Sequence, residues 1–169
     1  MKNVSDDLFR IGELVVYPAH GVCRIEAIEE RELYGARVQL FVMSLNPERM
    51  TLMVPTDRAT SAGMRRLADP AIAEAAMRLI GGRSRSKRGI WSRRAQEYER
   101  KIRSGDLMQA AEVVRDLRGG TEDPGGSYSE RQLYELALAR VTQEVAAVLR
   151  TGESSVRSLI ETAQASRAA

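Results

Sequence analysis

The distribution of apolar residues changes near residue 68, and this change constrains the fold more than any other feature of the sequence. Before it, β-branched and apolar residues stand in short runs that Gly, Pro and Asn interrupt. Runs of this length between turn residues predict β-strands. The runs are Leu14–Tyr17, Val22–Ile28, Val38–Met43, Met50–Val54 and a short one at Met64–Leu67. They predict a small antiparallel barrel or a strongly bent sheet.

After residue 68 the signals are those of helices. Asp69-Pro70 predicts a helix start and Gly81-Gly82 its end, and Ser129 with Gln132 forms a capping box for the longest helix. That helix carries Leu138, Val141, Val145 and Val148 on one face. The other predicted helices are 92–103, one that ends at Leu117 before a glycine-rich loop at 119–126, and 153–165. The pattern predicts a compact bundle of four or five helices.

The predicted fold class is therefore α+β with two domains, a β-barrel at 1–68 and an all-α bundle at 69–169. The N-terminus lacks the apolar core of a signal peptide, and no apolar run approaches the length that crosses a bilayer. A single cysteine allows no intramolecular disulfide. We expect a cytoplasmic protein without membrane contact.

Charge is distributed unevenly along the chain. Residues 1–80 carry 10 basic and 11 acidic side chains, residues 81–103 carry 9 and 2, and residues 104–169 carry 7 and 10. The net charge of +3 thus arises from one short segment. A concentrated basic segment favours binding to a phosphate backbone, because each neutralised phosphate releases counterions.

Residues for catalysis are scarce. His20 and Cys23 are the only histidine and cysteine, and three residues apart they could form a thiolate pair. The alternative, that His20 shapes a turn and Cys23 packs in the barrel, is the preferred interpretation. A zinc site needs more such ligands, and no phosphate-binding glycine loop is present. We expect no enzyme, no metal and no cofactor.

Trp91, the only tryptophan, stands at a predicted helix start between Lys87-Arg88 and Arg93-Arg94. It is either a core residue of the bundle or an apolar wedge that enters a base step while neighbouring cations hold phosphates. The basic linker before it, which includes Arg85, is either a solvated connector or part of the same DNA-binding surface.

The run from Met50 to Pro55 offers two interpretations as well. It is either core of the barrel or an edge strand that pairs with a strand of a protein partner. A protein partner suits this half of the chain, because its net charge of −1 makes a poor DNA-binding surface.

The opening residues 9–22, with Gly12-Glu13-Leu14-Val15-Val16-Tyr17-Pro18-Ala19-His20-Gly21 at their centre, resemble the CarD/CdnL family of bacterial RNA polymerase-binding regulators. The same opening is similar to the polymerase-interacting module of the transcription-repair coupling factor. The second half, with 90–94, Ser104-Gly105-Asp106 and 111–117, resembles the CarD/CdnL helical domain. The resemblance extends from about residue 8 to 165.

This resemblance implies a Tudor-like (SH3-like) barrel that docks on the β subunit of RNA polymerase, in the holoenzyme, through Arg31 and Met53-Val54-Pro55. Some relatives have an arginine where this chain has Met53, so main-chain strand pairing is the expected contact there. It also implies that Trp91 wedges into promoter DNA at the upstream edge of the −10 element. The open promoter complex is stabilised as a result.

Two other functions remain open at this stage. In one, the chain is a protein-interaction module of polymerase without direct DNA contact. In the other, it is a sequence-specific repressor, but the sequence offers no clear dimer seam for paired half-sites. We therefore expect a monomer.

Overall fold

A computed structural model of the chain describes residues 8–45, 49–85, 89–122 and 128–168, without the side chains of 119–122 and 167–168. Its elements are five strands and six helices within these ranges, so the fold class is α+β as predicted. Contacts between Cα atoms divide the chain into two units, Met1–Leu67 and Ala68–Ala169. We call them the sheet unit and the helical unit.

The sheet unit is one antiparallel sheet with the strand order β4-β3-β2-β1-β5. Its short helix α1 follows β4 directly. The bounds are β1 Leu14–Tyr17, β2 Gly21–Leu33, β3 Ala36–Leu45, β4 Met50–Pro55, α1 Thr56–Ala59 and β5 Arg65–Arg66.

The closed barrel expected from the sequence is wrong for the described residues, because their sheet is open with β4 and β5 at its edges. β5 has only two residues, which pair with Val15 and Val16 of β1, so it offers too little backbone to reach β4. The sheet instead bends through β2. This strand pairs with β1 up to Arg24 and with β3 from there to Leu33, and its register shifts between Ile25 and Ala27. Such a bulge bends a strand and increases its twist.

The predicted turn at Tyr34-Gly35 is confirmed and sets the register of β2 against β3. Both residues have positive φ, 50° and 78°. Two-residue hairpin turns with this geometry match the right-handed twist of the strands that they join. The other predicted turn, Asn46-Pro47, lies outside the described residues.

One face of the sheet forms the core of this unit. Phe9 and Phe41 pack edge to face there with ring centroids 5.9 Å apart. Cys23 is buried in this core, and the His20 ring stacks on Tyr17 in the turn after β1, so both residues have the structural roles that we preferred. The buried residues are Phe9, Val15, Cys23, Ile25, Phe41, Met43, Leu45, Val54, Ala59 and Met64.

Within the described ranges the helical unit contains five helices, and no helix there is long and apolar enough to cross a membrane. The first begins at Pro70 after Asp69 and ends before Gly81, as predicted. The bounds are α2 Pro70–Ile80, α3 Trp91–Arg103, α4 Leu107–Glu122, α5 Tyr128–Leu149 and α6 Glu153–Ala168.

Two predicted helix boundaries, on either side of the glycine-rich segment, are wrong. α4 continues past Leu117 to Glu122, through Gly119 and Gly120, where a loop was expected. Glycine weakens a helix by about 1 kcal/mol relative to alanine but keeps the backbone hydrogen bonds, so it need not end one. α5 begins at Tyr128, which puts Ser129 inside the helix and not at its N-cap.

α5 lies at the centre of the helical unit and packs against α2, α3, α4 and α6. Leu138, Val141 and Val145 on its predicted apolar face are fully buried. Tyr134, on the same helix, donates a hydrogen bond of 2.7 Å to the Gln164 side chain of α6. Burial raises the pKa of Tyr134, since the anion would lose its hydration.

We predict that Leu138→Ala lowers the free energy of unfolding by about 2–5 kcal/mol, because it opens a cavity in this core. The matched control is Leu136→Ala on the same helix, whose side chain is 44% exposed. That variant should stay within about 0.5 kcal/mol of the wild type. Urea unfolding followed by circular dichroism measures both, and equal losses would contradict the central role of α5.

Candidate functional site

Trp91 is the first residue of α3, and its indole is half-buried against the helical core. The ring centroid lies 6.3 Å from that of Tyr98, which is further along α3 and is 6% exposed. The indole is thus neither fully buried in the core nor fully exposed. Part of the ring packs on the bundle, and the rest remains at the surface.

Two polar contacts hold the indole in this position. Its Nε1–H donates a hydrogen bond of 2.9 Å to the hydroxyl oxygen of Ser129 on α5. The guanidinium of Arg94 lies 5.5 Å from the Trp91 ring centroid and 5.9 Å from that of Tyr98. Cation–π contacts at partly exposed sites contribute about 0.5–1 kcal/mol each.

Arg93 and Arg94, adjacent in sequence, have different environments. Arg94 is half-buried over the two rings, whereas Arg93 is exposed and makes no ion pair with any residue in the described part of the chain. Arg93 is therefore the cation of this pair that is free to contact a phosphate. Arg94 is tied to the position of the Trp91 ring.

The start of the basic linker is anchored to α4. Arg85 donates its backbone N–H to the Asp116 carboxylate at 2.9 Å, and the Ser84 hydroxyl donates to the Asp116 backbone carbonyl. The same carboxylate accepts two hydrogen bonds from the Arg115 guanidinium, and this bonding raises the pKa of Arg115. The Arg85 side chain is left exposed. Two further predicted DNA-binding residues, Lys87 and Arg88, lie outside the described residues.

Further along α3 the cations are largely neutralised. Arg100 pairs with Glu97 at 2.6 Å, and Lys101 pairs with Glu112 at 2.9 Å. The hydrogen bond and the charge of Glu97 raise the pKa of Arg100. In the first turn of α3, by contrast, Arg93 is exposed and has no such ion pair among the described residues.

A cleft of about 430 Å³ opens beside this first turn. Four cations and two carboxylates line it, so its field is net positive. The lining residues are Arg85, Gly89, Ile90, Arg93, Arg94, Glu97, Tyr98, Lys101 and Asp116.

The residues predicted to dock on polymerase lie in the sheet unit, and three of them share one face of the sheet. Arg31 on β2 and Pro55 and Met53 on β4 are paired with β3 residues that are two apart in sequence. Residues two apart on a strand point to the same face. These partners are Val38, Leu40 and Val42.

Val54 is the exception among these four residues, because it points to the opposite face and is buried in the core. Only its backbone is available to a partner. β4 is an edge strand that pairs with β3 alone among the described residues, so its outer backbone groups are open to another strand. Met53 is 45% exposed beside that edge. Arg31 forms a solvent-exposed ion pair of 3.1 Å with Glu29.

Within the described residues, no group of three or more His, Cys, Asp or Glu side chains could hold a metal ion.

Sequence reasoning missed Ser129 and Asp116, the two residues that hold this site together. Ser129 lies 38 residues from Trp91, and Asp116 lies 31 residues from Arg85. Ser129 was assigned to a helix cap, and Asp116 stood out by neither charge nor spacing. No local pattern could have revealed either contact.

Models of known protein families match both halves of the chain. Residues 75–161 match the family model described as CarD, C-terminal domain, and residues 9–68 match the model described as CarD-like/TRCF RID domain. The chain belongs to the CarD/CdnL family. The two matches meet near residues 68–75, close to the division between the sheet unit and the helical unit.

A relative spans nearly the same length. The chain is 29% identical over 151 residues to "Putative transcription factor YdeB" of Bacillus subtilis (strain 168). The match covers 89% of this chain and 99% of that protein. The first turn of α3, with Trp91, lies inside the region that matches the CarD C-terminal model.

Proposed function

We propose that this CarD/CdnL protein is a non-enzymatic transcription regulator that binds RNA polymerase and promoter DNA together. The sheet unit docks on the β subunit of the holoenzyme, and the helical unit contacts DNA at the upstream edge of the −10 element. The open promoter complex is stabilised as a result. The protein acts as a monomer in this role.

The observation that carries the DNA-binding part is the surface around the first turn of α3. A half-buried tryptophan reaches the surface there, beside an exposed Arg93 and the exposed side chain of Arg85. An apolar ring among cations has the composition of a minor-groove wedge, in which the ring enters a base step and the cations bind phosphates. The N-terminus of α3 adds further attraction for phosphate groups.

The edge strand β4 supports the docking part. Its backbone is unpaired on one side among the described residues, and Met53, Pro55 and Arg31 share the adjoining face. A partner strand can add to this edge through main-chain hydrogen bonds, and the partner surface beside that strand would then contact the three side chains. The CarD-like/TRCF RID match over residues 9–68 supports a polymerase contact by this unit.

The two contacts together account for the effect on transcription. Promoter melting is reversible, and a ligand that prefers the melted form shifts the equilibrium by its difference in affinity for the two forms. Docking on polymerase raises the local concentration of the helical unit at the promoter, so its intrinsic affinity for DNA can be weak.

The exposed Arg31 leads to the first prediction for this function. It stands within the run Glu29-Glu30-Arg31-Glu32, and Arg31→Glu would make this stretch wholly acidic. Charge reversal at an interface costs several kcal/mol through repulsion, so binding to the β subunit should weaken by at least about tenfold. Met53→Ala should weaken it less, because strand pairing by the backbone survives. Surface plasmon resonance with the isolated β subunit measures both, and unchanged affinity of Arg31→Glu would exclude Arg31 from the interface.

Trp91→Ala should shorten the lifetime of the open promoter complex. Stacking on one base contributes roughly 1–3 kcal/mol, which corresponds to about five- to 150-fold in lifetime. Binding to polymerase should be unchanged. The control is Leu159→Ala, an exposed apolar residue of α6. The melting temperature of each variant is determined first, and open-complex decay is then measured on the same preparation below that temperature.

If the Trp91→Ala variant is folded and the open complex keeps its wild-type lifetime, the wedge role of Trp91 is contradicted. If polymerase binding also persisted, the chain would be a protein-interaction module without direct DNA contact.

Arg93→Ala should weaken DNA binding in a salt-dependent manner. Each lost phosphate contact lowers the slope of log affinity against log salt by about one. Arg94→Ala should also loosen the Trp91 ring. The DNA affinity that this variant loses should therefore stay lost at high salt. Fluorescence anisotropy with labelled promoter DNA and polymerase, over a salt series, separates the two variants. Identical slopes for Arg93→Ala and the wild type would remove Arg93 from the phosphate contacts.

A further inference from the structure

We propose that Ser129 is a positioning residue for Trp91, which acts by holding the indole against the helical unit so that only its exposed edge meets DNA. This inference rests on the proposed function, because it assigns to Ser129 a part in the same wedge. Neither sequence pattern nor family match gives Ser129 a part in the wedge. The contact between α3 and α5 does.

The first step is the hydrogen bond itself. The indole Nε1–H is a donor only, and at 2.9 Å it is directed to the hydroxyl oxygen of Ser129. Ser129 lies in the first turn of α5, the helix that packs against all the other helices of the unit. The ring is therefore tied to the most deeply anchored element of the bundle.

The second step is the environment of the ring. Arg94 lies over one part of the indole, Tyr98 packs beside it at an interplanar angle of 42°, and the core of the unit supports it. A tryptophan side chain has two rotatable bonds, and these contacts limit both. A ring that is already fixed loses less conformational freedom when it enters a base step, and this raises affinity.

The third step concerns what the wedge can recognise. In the minor groove, A·T pairs offer acceptors that an indole N–H could bind. While Ser129 holds the indole, this N–H already donates to the Ser129 hydroxyl. The ring therefore contributes by stacking and by its apolar edge. Trp91 should therefore contribute to the stability of the melted junction and little to the choice of base.

The first arm of the test uses the free full-length chain and needs no DNA. Because Trp91 is the only tryptophan, its fluorescence reports this ring alone. We expect Ser129→Ala to increase the fast local component of the anisotropy decay and the quenching by acrylamide. Ser129→Thr keeps a hydroxyl and should restore the wild-type values. The matched control is Ser158→Ala, an exposed serine inside α6, which should change neither.

The second arm measures the open complex. One hydrogen bond of this kind shifts an equilibrium by about two- to tenfold. The open-complex lifetime should fall by that factor in Ser129→Ala, less than in Trp91→Ala, and recover in Ser129→Thr. Polymerase affinity should stay at the wild-type value. The melting temperature should stay there as well, since alanine is a better helix former than serine.

The outcomes separate the two proposals. Wild-type anisotropy and quenching in Ser129→Ala would overturn the positioning role, and so would a lifetime that is unchanged or longer while Trp91→Ala shortens it. If Trp91→Ala leaves the lifetime unchanged, the wedge itself is wrong and the positioning role for DNA is lost with it. A looser ring with a shorter lifetime, both restored by threonine, supports the proposal.

Discussion

The helical unit depends on the burial of one face of α5. Four helices pack around it and bury apolar residues together with it. α3 shows the consequence most clearly. Of its thirteen residues only Tyr98 and Ile102 are buried, so this strongly basic helix is held by a narrow apolar contact. Its remaining sides face solvent. The position of Trp91 at its first turn follows from this packing, since the helix can dock in only one rotation about its axis.

Ion pairing within the unit determines where positive charge remains available. Among the described residues of α3, Arg100 and Lys101 pair with Glu97 and Glu112, whereas Arg93 in the first turn makes no ion pair. Surface ion pairs of this kind contribute little to stability. Their effect here is on the electrostatic field. In the described part of α3, an exposed cation without an ion pair, Arg93, therefore stands close in sequence to the half-buried tryptophan.

In the sheet unit, strand register plays the corresponding part. The two-residue turn at Tyr34-Gly35 aligns β2 with β3, and the pairing of β3 with β4 brings Met53 and Pro55 to the face that carries Arg31. A shift of one residue would turn every one of these side chains to the opposite face. The open edge of β4 is thus combined with a defined set of side chains, which is what specific strand addition requires. The hairpin turn is in this sense a determinant of the proposed docking surface.

Much of this protein is determined by the sequence by itself. The change from strands to helices near residue 68, the buried face of α5 with Leu138, Val141 and Val145, and the basic segment around Trp91 all follow from local periodicity and charge, which act over a few residues. Helix ends were less predictable, because glycine only weakens a helix. Tertiary structure alone decided that the sheet is open, that Arg94 stacks on rings while Arg93 is exposed, and that Ser129 holds the indole. These features depend on contacts between residues far apart in the chain, and the free energy of such contacts exists only once packing has brought the two partners together.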